Sequence, residues 1–302
     1  MDLRQLAGEF GFAECYVLST EPFLYYERRL KDGALHSAAN GLTSNLKNDA
    51  AWANALLALI YPYRPYADSI PVSGNYPSSN QCYHAAGNLL LRLRQDGIPA
   101  ARADVPIREL LLRNGIGSPL KNGLTYIPGY GTRYSVQVLL ANIPRVTYEP
   151  ARTSAPVRCE GCRACERACP SGAIDCEGYH FRKCARAYMG GETMEPWVMD
   201  SLTSILGCEL CQKVCPYNLS SKPIEEMPDA FRLEELLSGN VKPALEIVGK
   251  NLNKQGRIIQ HACIVAAKQN RKDLIPLMEA LLDDRREGVR VAARYALDHL
   301  RS

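Results

Sequence analysis

The sequence predicts three consecutive regions: an α/β domain over residues 1–150, a small cysteine-organised module over 151–222, and an all-α helical repeat over 223–302. Three observations carry this. Strand and helix patterns alternate through the first region. Seven cysteines fall in two runs between Cys159 and Cys215, and an eleven-residue stretch recurs at an offset of 30 residues in the last region. A length of 302 residues suits about two or three domains. The net charge of +4 dictates no whole-molecule field toward nucleic acid or membrane, so any such surface must be local. No uninterrupted apolar run reaches the length of a membrane span. Met1-Asp2-Leu3-Arg4 lacks a basic-then-apolar leader, and the expectation is a soluble, cytoplasmic protein.

In the first region, Leu3 to Phe10 has helical spacing and stops at Gly11. Ala13–Leu18 reads as a strand and Phe23–Leu30 as a helix, with Glu27, Arg28 and Arg29 on an exposed face. Residues 31–50 are polar and irregular. Ala55–Tyr61 is a continuous apolar run ending at Pro62, which suits a buried strand. Tyr63–Gln81, rich in Pro, Ser, Asn and Tyr, reads as a loop that something must hold. Cys82–Leu93 is helical, opened by Tyr83-His84 and ended by Gly97-Ile98-Pro99. Ala100–Asp104 then reads as a strand, Ile107–Leu112 as a helix closed by Asn114-Gly115, and Tyr134–Ala141 as the last strand.

Two places here are candidates for chemistry. Asp104 ends a strand and precedes a Pro-containing turn, which suits either a proton-transferring carboxylate or a turn and cap residue. The stretch 114–134 carries Gly115, Gly117, Gly123, Gly129 and Gly131, and it serves either close approach to a large flat ligand or tight turns. It is neither a dinucleotide fingerprint nor a phosphate-binding loop. A lone His such as His84 is more often a structural group than a ligand.

The second region begins with Cys159, Cys162, Cys165 and Cys169-Pro170, a C-x2-C-x2-C-x3-C-P run in which the fourth Cys serves the other of two clusters. Cys208, Cys211 and Cys215-Pro216 repeat its last three positions. The missing first position is Ile205, and Cys184 is the natural substitute, with Cys176 the competitor beside Asp175 and Glu177. The expected sets are Cys159, Cys162 and Cys165 with Cys215, and Cys169 with Cys184, Cys208 and Cys211. That makes the module a double [4Fe-4S] ferredoxin-like domain. Zinc sites use separated pairs, and disulfides need an oxidising compartment. Cys15 and Cys263 sit in apolar runs and read as buried thiols. The insertion from Tyr179 to Gly207, with Trp197, supplies Cys184 and enough chain to cover a cluster.

In the third region, Arg257–Ala267 aligns with Glu287–Leu297, placing Ala262 on Ala292 and Ala266 on Ala296. Small residues at helical spacing let paired helices approach closely. Leu274–Leu282, with Pro276 in its first turn, is the partner helix, so the region reads as a short HEAT-like repeat that must dock on the rest. Between Ile247 and Lys272 there is no acid, and Lys268, Arg271 and Lys272 end a basic block. Such a block serves as a solvated face or as a contact for a phosphate backbone.

Together these pieces resemble the epoxyqueuosine reductase family, cobalamin-dependent iron–sulfur enzymes of queuosine-tRNA maturation. The residues that carry the resemblance are Leu6-Ala7-Gly8-Glu9-Phe10-Gly11-Phe12, Tyr83-His84, Ala103-Asp104-Val105-Pro106, and Asn114-Gly115-Ile116-Gly117 with Lys121-Asn122. Arg182-Lys183-Cys184, Gly207-Cys208-Glu209-Leu210-Cys211-Gln212 and Gly288-Val289-Arg290 extend it. The chain departs from the family's pattern at Cys82, where the family has Asp, at Ser118-Pro119-Leu120, in 31–50, and at Ala185-Arg186-Ala187-Tyr188. The resemblance implies two [4Fe-4S] clusters and a cobalamin between the α/β domain and the cluster module, held by Tyr83, His84, Asp104, Gly117, Lys121 and Asn122. It also implies Asp104 as proton donor, tRNA as the substrate carrier, a flavodoxin or ferredoxin system as electron donor, and a monomer. The alternatives are a related corrinoid reductase of another electrophile, or a ferredoxin-like carrier whose tail docks a partner and which holds no corrinoid.

Overall fold

The computed structural model describes residues 2–33, 41–149, 153 and 155–302. The chain divides into two compact units: Met1–Tyr63 with Gln81–Cys162, and Arg64–Asn80 with Arg163–Ser302. The expected boundary at 150 and part of the irregular stretch 31–50 lie outside the described residues.

In the first unit, α1 (Leu3–Glu9) starts at Asp2, whose carboxylate accepts the N–H groups of Arg4 and Gln5. Next come β1 (Glu14–Leu18), α2 (Leu24–Lys31), the short α3 (Leu46–Asp49) and β2 (Ala55–Pro62). α4 (Asn75–Gln95) begins well before the expected residue 82. Its opening Asn-Tyr-Pro-Ser-Ser reads as loop by composition, yet Pro77 in a first turn loses no helical hydrogen bond. Tyr83 and His84 therefore lie inside this helix rather than at its start. Then follow β3 (Ala100–Arg102), α5 (Ile107–Arg113), the hairpin β4 (Ser118–Pro119) with β5 (Thr125–Tyr126), and β6 (Tyr134–Ala141).

The sheet order is β1-β2-β6-β3, and each neighbouring pair is antiparallel, with Tyr16 opposite Ala58, Ala58 opposite Val138 and Arg102 opposite Leu139. Side chains alternate across β2. Leu56, Ala58 and Ile60 pack with Phe23, Leu110 and Ile127, while Leu57 and Leu59 pack with Leu6, Leu89 and Leu93 on the other face. Helices cover both faces, and that double burial is why β2 reads as an unbroken apolar run.

The second unit holds α6 (Ala164–Ala168), the hairpin β7 (Ile174–Asp175) with β8 (Gly178–Tyr179), α7 (Ala185–Tyr188), α8 (Pro196–Ser201) and α9 (Leu210–Lys213). Beyond them come α10 (Leu233–Leu237), α11 (Lys242–Val248), α12 (Arg257–Lys268), α13 (Ile275–Ala280) and α14 (Glu287–Arg301). The aligned stretches are α12 and α14, and Ala262, Ala266, Ala292 and Ala296 are buried. Val289, Ala292, Ala293, Ala296, Leu297 and Leu300 form the buried stripe of α14 at helical spacing. Gly288 permits the approach of Glu192: an added Cβ would sit 1.9 Å from its carbonyl oxygen.

One core serves this whole unit. Met189, Met194, Val198, Leu202 and Ile205 from the insertion pack with Phe231, Ile258, Ile264 and Leu297. The stretch 64–74, expected to need support, finds it here. Tyr66, Ile70 and Val72 enter the same core, Ala67 N–H donates to the Ile224 carbonyl at 2.9 Å, and the Pro71 carbonyl accepts Ile205 N–H at 2.6 Å.

Candidate functional site

Cys159 and Cys162 end the first unit, while Cys165, Cys169, Cys184, Cys208, Cys211 and Cys215 belong to the second. The sequence around the second run decides how its ligands are supplied. Ile205 is fully buried in the core and anchored to Pro71, so the position where the repeat calls for Cys is committed to packing. Leu206 and Gly207 then take left-handed backbone, with φ of 59° and 73°, to turn the chain into Cys208. A Cβ on Gly207 would lie 2.9 Å from the Tyr76 ring and 3.2 Å from Ser73 Oγ. The turn is pinned by His261, whose Nδ1 accepts Leu206 N–H at 3.0 Å while Nε2 lies 3.0 Å from the Met189 carbonyl. Those partners define a neutral ring with the proton on Nε2. Burial lowers its pKa to about 4.

Cys184 ends the 3-10 turn Phe181–Lys183 and leads into α7. Burial pushes the Cys211 thiol up to about 12, and the nearby Cys208, Cys184, Cys165 and Cys169 thiols act in the same direction. Cys208 is raised by burial first, opposed by the N–H of Leu210 and reinforced by Cys184 and Cys169. Cys165, Cys169, Cys184, Cys208 and Cys211 are thus electrostatic neighbours in one unit. A concentration of thiols that disfavour one another's ionisation is what a multiply charged iron centre relieves.

The spacing of these thiols also bears on which metal they suit. Tetrahedral zinc at about 2.3 Å from each sulfur brings ligand sulfurs to about 3.8 Å of one another. Among the described residues, the one group of potential ligand atoms that all lie within 4.8 Å of one another is Asp175, Glu177 and His180, and it contains no cysteine. Cys176 is exposed, and the charge it is near is that of Arg163. Cys15, Cys82 and Cys263 are buried, and burial raises each to about 12.

Glu209 sits between two of these cysteines with 4% of its surface exposed. Its carboxylate accepts the Ser73 hydroxyl and the Asn75 N–H, each at 3.0 Å, and so caps the start of α4 from the cysteine loop. Nothing in the sequence pattern announces this, because the partners are 136 and 134 residues apart. A cavity of about 310 Å³ borders it, lined in part by Ser73, Ala168, Ser204 and Leu210.

In the first unit, Tyr83 and His84 face solvent from α4, and Asp104 is exposed two residues beyond β3. Pro106 occupies the N-cap of α5 without a side-chain cap, so Asp104 does not cap that helix. Among the described residues its carboxylate makes no hydrogen bond or ion pair, while its carbonyl accepts Thr43 N–H at 2.7 Å. Arg102 ties β3 to α4: it donates to the Tyr83 carbonyl at 2.7 Å and to Gln137 Oε1 at 2.8 Å, with its guanidinium 3.8 Å from the Tyr83 ring centroid. The glycine-rich stretch behaves differently. A Cβ on Gly117 would strike Thr125 at 2.4 Å and the Tyr126 carbonyl at 3.1 Å, so this glycine serves the β4–β5 hairpin. Asn122 is buried and accepts Leu124 N–H at 3.2 Å, while Lys121 beside it is half-buried. Tyr83, His84 and Asp104 are each exposed, while Asn122 is buried and Gly117 is packed against Thr125.

Of the three basic residues, Arg271 is held by Glu234 and Asp273, whose carboxylates raise its pKa. Lys268 donates to the Asp200 carbonyl, and its partial burial lowers its pKa. Lys272 is exposed.

A family model described as a 4Fe-4S double cluster binding domain matches residues 158–218. A Listeria monocytogenes protein named epoxyqueuosine reductase is 32% identical over 215 residues, covering 65% of this chain and 53% of that one. The Bacillus subtilis protein of the same name is 27% identical over 207 residues, covering 63% and 52%. The chain thus spans about half the length of the curated relatives it matches. A crystal structure of epoxyqueuosine reductase with a tRNA-Tyr epoxyqueuosine-modified stem loop superposes with TM-score 0.79 at 20% identity, covering 99% of this chain and 89% of that one. Epoxyqueuosine reductase from Streptococcus thermophilus does so at 0.77 and 18%, with the same coverage, and these likenesses show a shared fold. No helix among the described residues is long and apolar enough to cross a membrane.

Proposed function

We propose that this chain acts as a member of the epoxyqueuosine reductase family and reduces epoxyqueuosine to queuosine in tRNA with two [4Fe-4S] clusters and a cobalamin. The observation that carries the reading is the match of residues 158–218, which hold all eight of these cysteines, to a 4Fe-4S double cluster binding domain, and Cys184, Cys169, Cys208 and Cys211 are the donors for one cluster. Cys159, Cys162, Cys165 and Cys215 hold the other.

Removing an epoxide oxygen as water takes two electrons and two protons and leaves a carbon–carbon double bond. A reduced corrinoid, when bound, supplies the nucleophilic low-potential chemistry for this. The chain's residues do the rest. Eight thiolates hold the clusters through which electrons arrive singly, from a flavodoxin or ferredoxin system. Tyr83 and His84 present one wall of the site, and Arg102 fixes the Tyr83 ring against the end of β3. Asp104, exposed and without a side-chain partner among the described residues, delivers one proton to the departing oxygen. The tail is read as HEAT-like, with Lys272 as the basic residue of its edge most available to phosphate.

Anaerobic reconstitution followed by iron and sulfide analysis, corrinoid uptake spectra and an assay on epoxyqueuosine-containing tRNA tests the proposal. About eight irons, one corrinoid and queuosine as product are expected from the ligand sets. A protein that loads both cofactors but leaves that tRNA unchanged rejects the substrate, and absence of corrinoid uptake rejects the enzyme reading altogether.

A further inference from the structure

We infer that Ser171 sets the reduction potential of the cluster held by Cys169, through a hydrogen bond to that ligand's sulfur. This rests on the reading of Cys169 as a cluster ligand. In the turn that follows Cys169-Pro170, Ser171 Oγ lies 3.5 Å from Cys169 Sγ, and Ala173 N–H donates to the same sulfur at 3.3 Å. A metal-bound thiolate carries no proton, so the serine hydroxyl is then the donor. Two donors converge on one ligand sulfur.

The direction of the effect follows from charge. One-electron reduction of a [4Fe-4S] cluster makes the cluster and its thiolates more negative. A donor aimed at a ligand sulfur stabilises that state more than the oxidised one, and the potential rises. The amide of Ala173 belongs to the backbone, and removing it would take a proline, which also constrains the turn. Ser171 can be. It stands directly after the Cys-Pro step, where the other run carries Tyr217 after Cys215-Pro216, so a serine at this position belongs to only one of the two runs. Ser171 is half-buried and lies outside any helix or strand, and replacing its hydroxyl with hydrogen disturbs no backbone conformation.

The test is an EPR-monitored redox titration of the reconstituted full chain with dithionite as reductant, comparing wild type, Ser171→Ala and Ser171→Thr. The signal lost in Cys184→Ala identifies the cluster that Cys169 serves. Ser171→Ala is expected to keep its iron and move that signal alone to lower potential, while Ser171→Thr, which retains a hydroxyl, stays at the wild-type value. Unchanged potentials in fully loaded Ser171→Ala, equal shifts of both signals, or loss of half its iron would each overturn the assignment. Wild type that takes up no cluster iron instead defeats the cluster reading, a failure distinguishable from the other three.

Discussion

Cys184 is the residue on which the metal assignment turns, because Ile205 is spent on the core. Replacing Cys184 with Ala should lower the iron content from about eight to about four per chain, while Cys176→Ala leaves it unchanged, as iron analysis would register. Asp104→Asn should keep both cofactors bound and reduce turnover by at least about 100-fold, the scale of a lost general acid. Full activity in that variant removes Asp104 from the mechanism. His261 makes a pH prediction with a definite sign. The fold holds it neutral with a pKa near 4, whereas an unfolded chain protonates it below about 6.5. Its contribution is complete above about pH 6.5 and falls by about 1.4 kcal/mol per pH unit as acid is added, until about pH 4. Denaturant titrations at pH 7.5 and 5.5 should show this loss in wild type. The less stable His261→Gln should show a smaller difference between the two pH values.

At the scale of elements, the turn into Cys208 and the contact at Gly288 are the tightest places. Gly207→Ala forces a Cβ onto left-handed backbone and toward Tyr76, and should cost about 1–3 kcal/mol in thermal or chemical melts. Gly288→Ala, aimed at the Glu192 carbonyl, should cost at least as much and loosen α14. Wild-type stability in either variant would show that the neighbouring backbone yields. Much of this level was legible beforehand. β2 announced itself as a continuous apolar run, β6 and α5 by spacing, and α12 and α14 by a repeat of small residues. The opening of α4 was not, since Pro and Ser mark loops in isolation and helix starts when a distant carboxylate such as Glu209 caps them. The glycines at 114–134 were ambiguous for the same reason: only the approach of Thr125 shows what Gly117 is for.

For the whole molecule, the cysteine module and the helical tail share one core, so neither stands as a separately packed body. The net charge of +4 leaves the proposed RNA contact to local residues, of which Arg271 and Lys268 are partly engaged within the protein. Replacing Lys268, Arg271 and Lys272 together should weaken tRNA binding and flatten its dependence on salt. Most of that change should already appear in Lys272→Ala, with the log–log slope reduced by about one. An unchanged slope in the triple variant places the RNA on another surface.

The sequence alone determined the parts whose information is local: the ligand spacing of Cys159–Cys169 and Cys208–Cys215, the strand and helix periods, and the thirty-residue repeat. Covalent spacing and backbone periodicity decide those without reference to the rest of the chain. Tertiary structure decided what depends on distant partners. It committed Ile205 to the core and set Cys184 beside Cys208. It capped α4 with Glu209, turned the Asp104 carboxylate outward, and engaged Arg271 and Lys268 within the protein. Burial, hydrogen-bond pairing and charge compensation are properties of neighbours in space, and a linear order of residues does not name those neighbours.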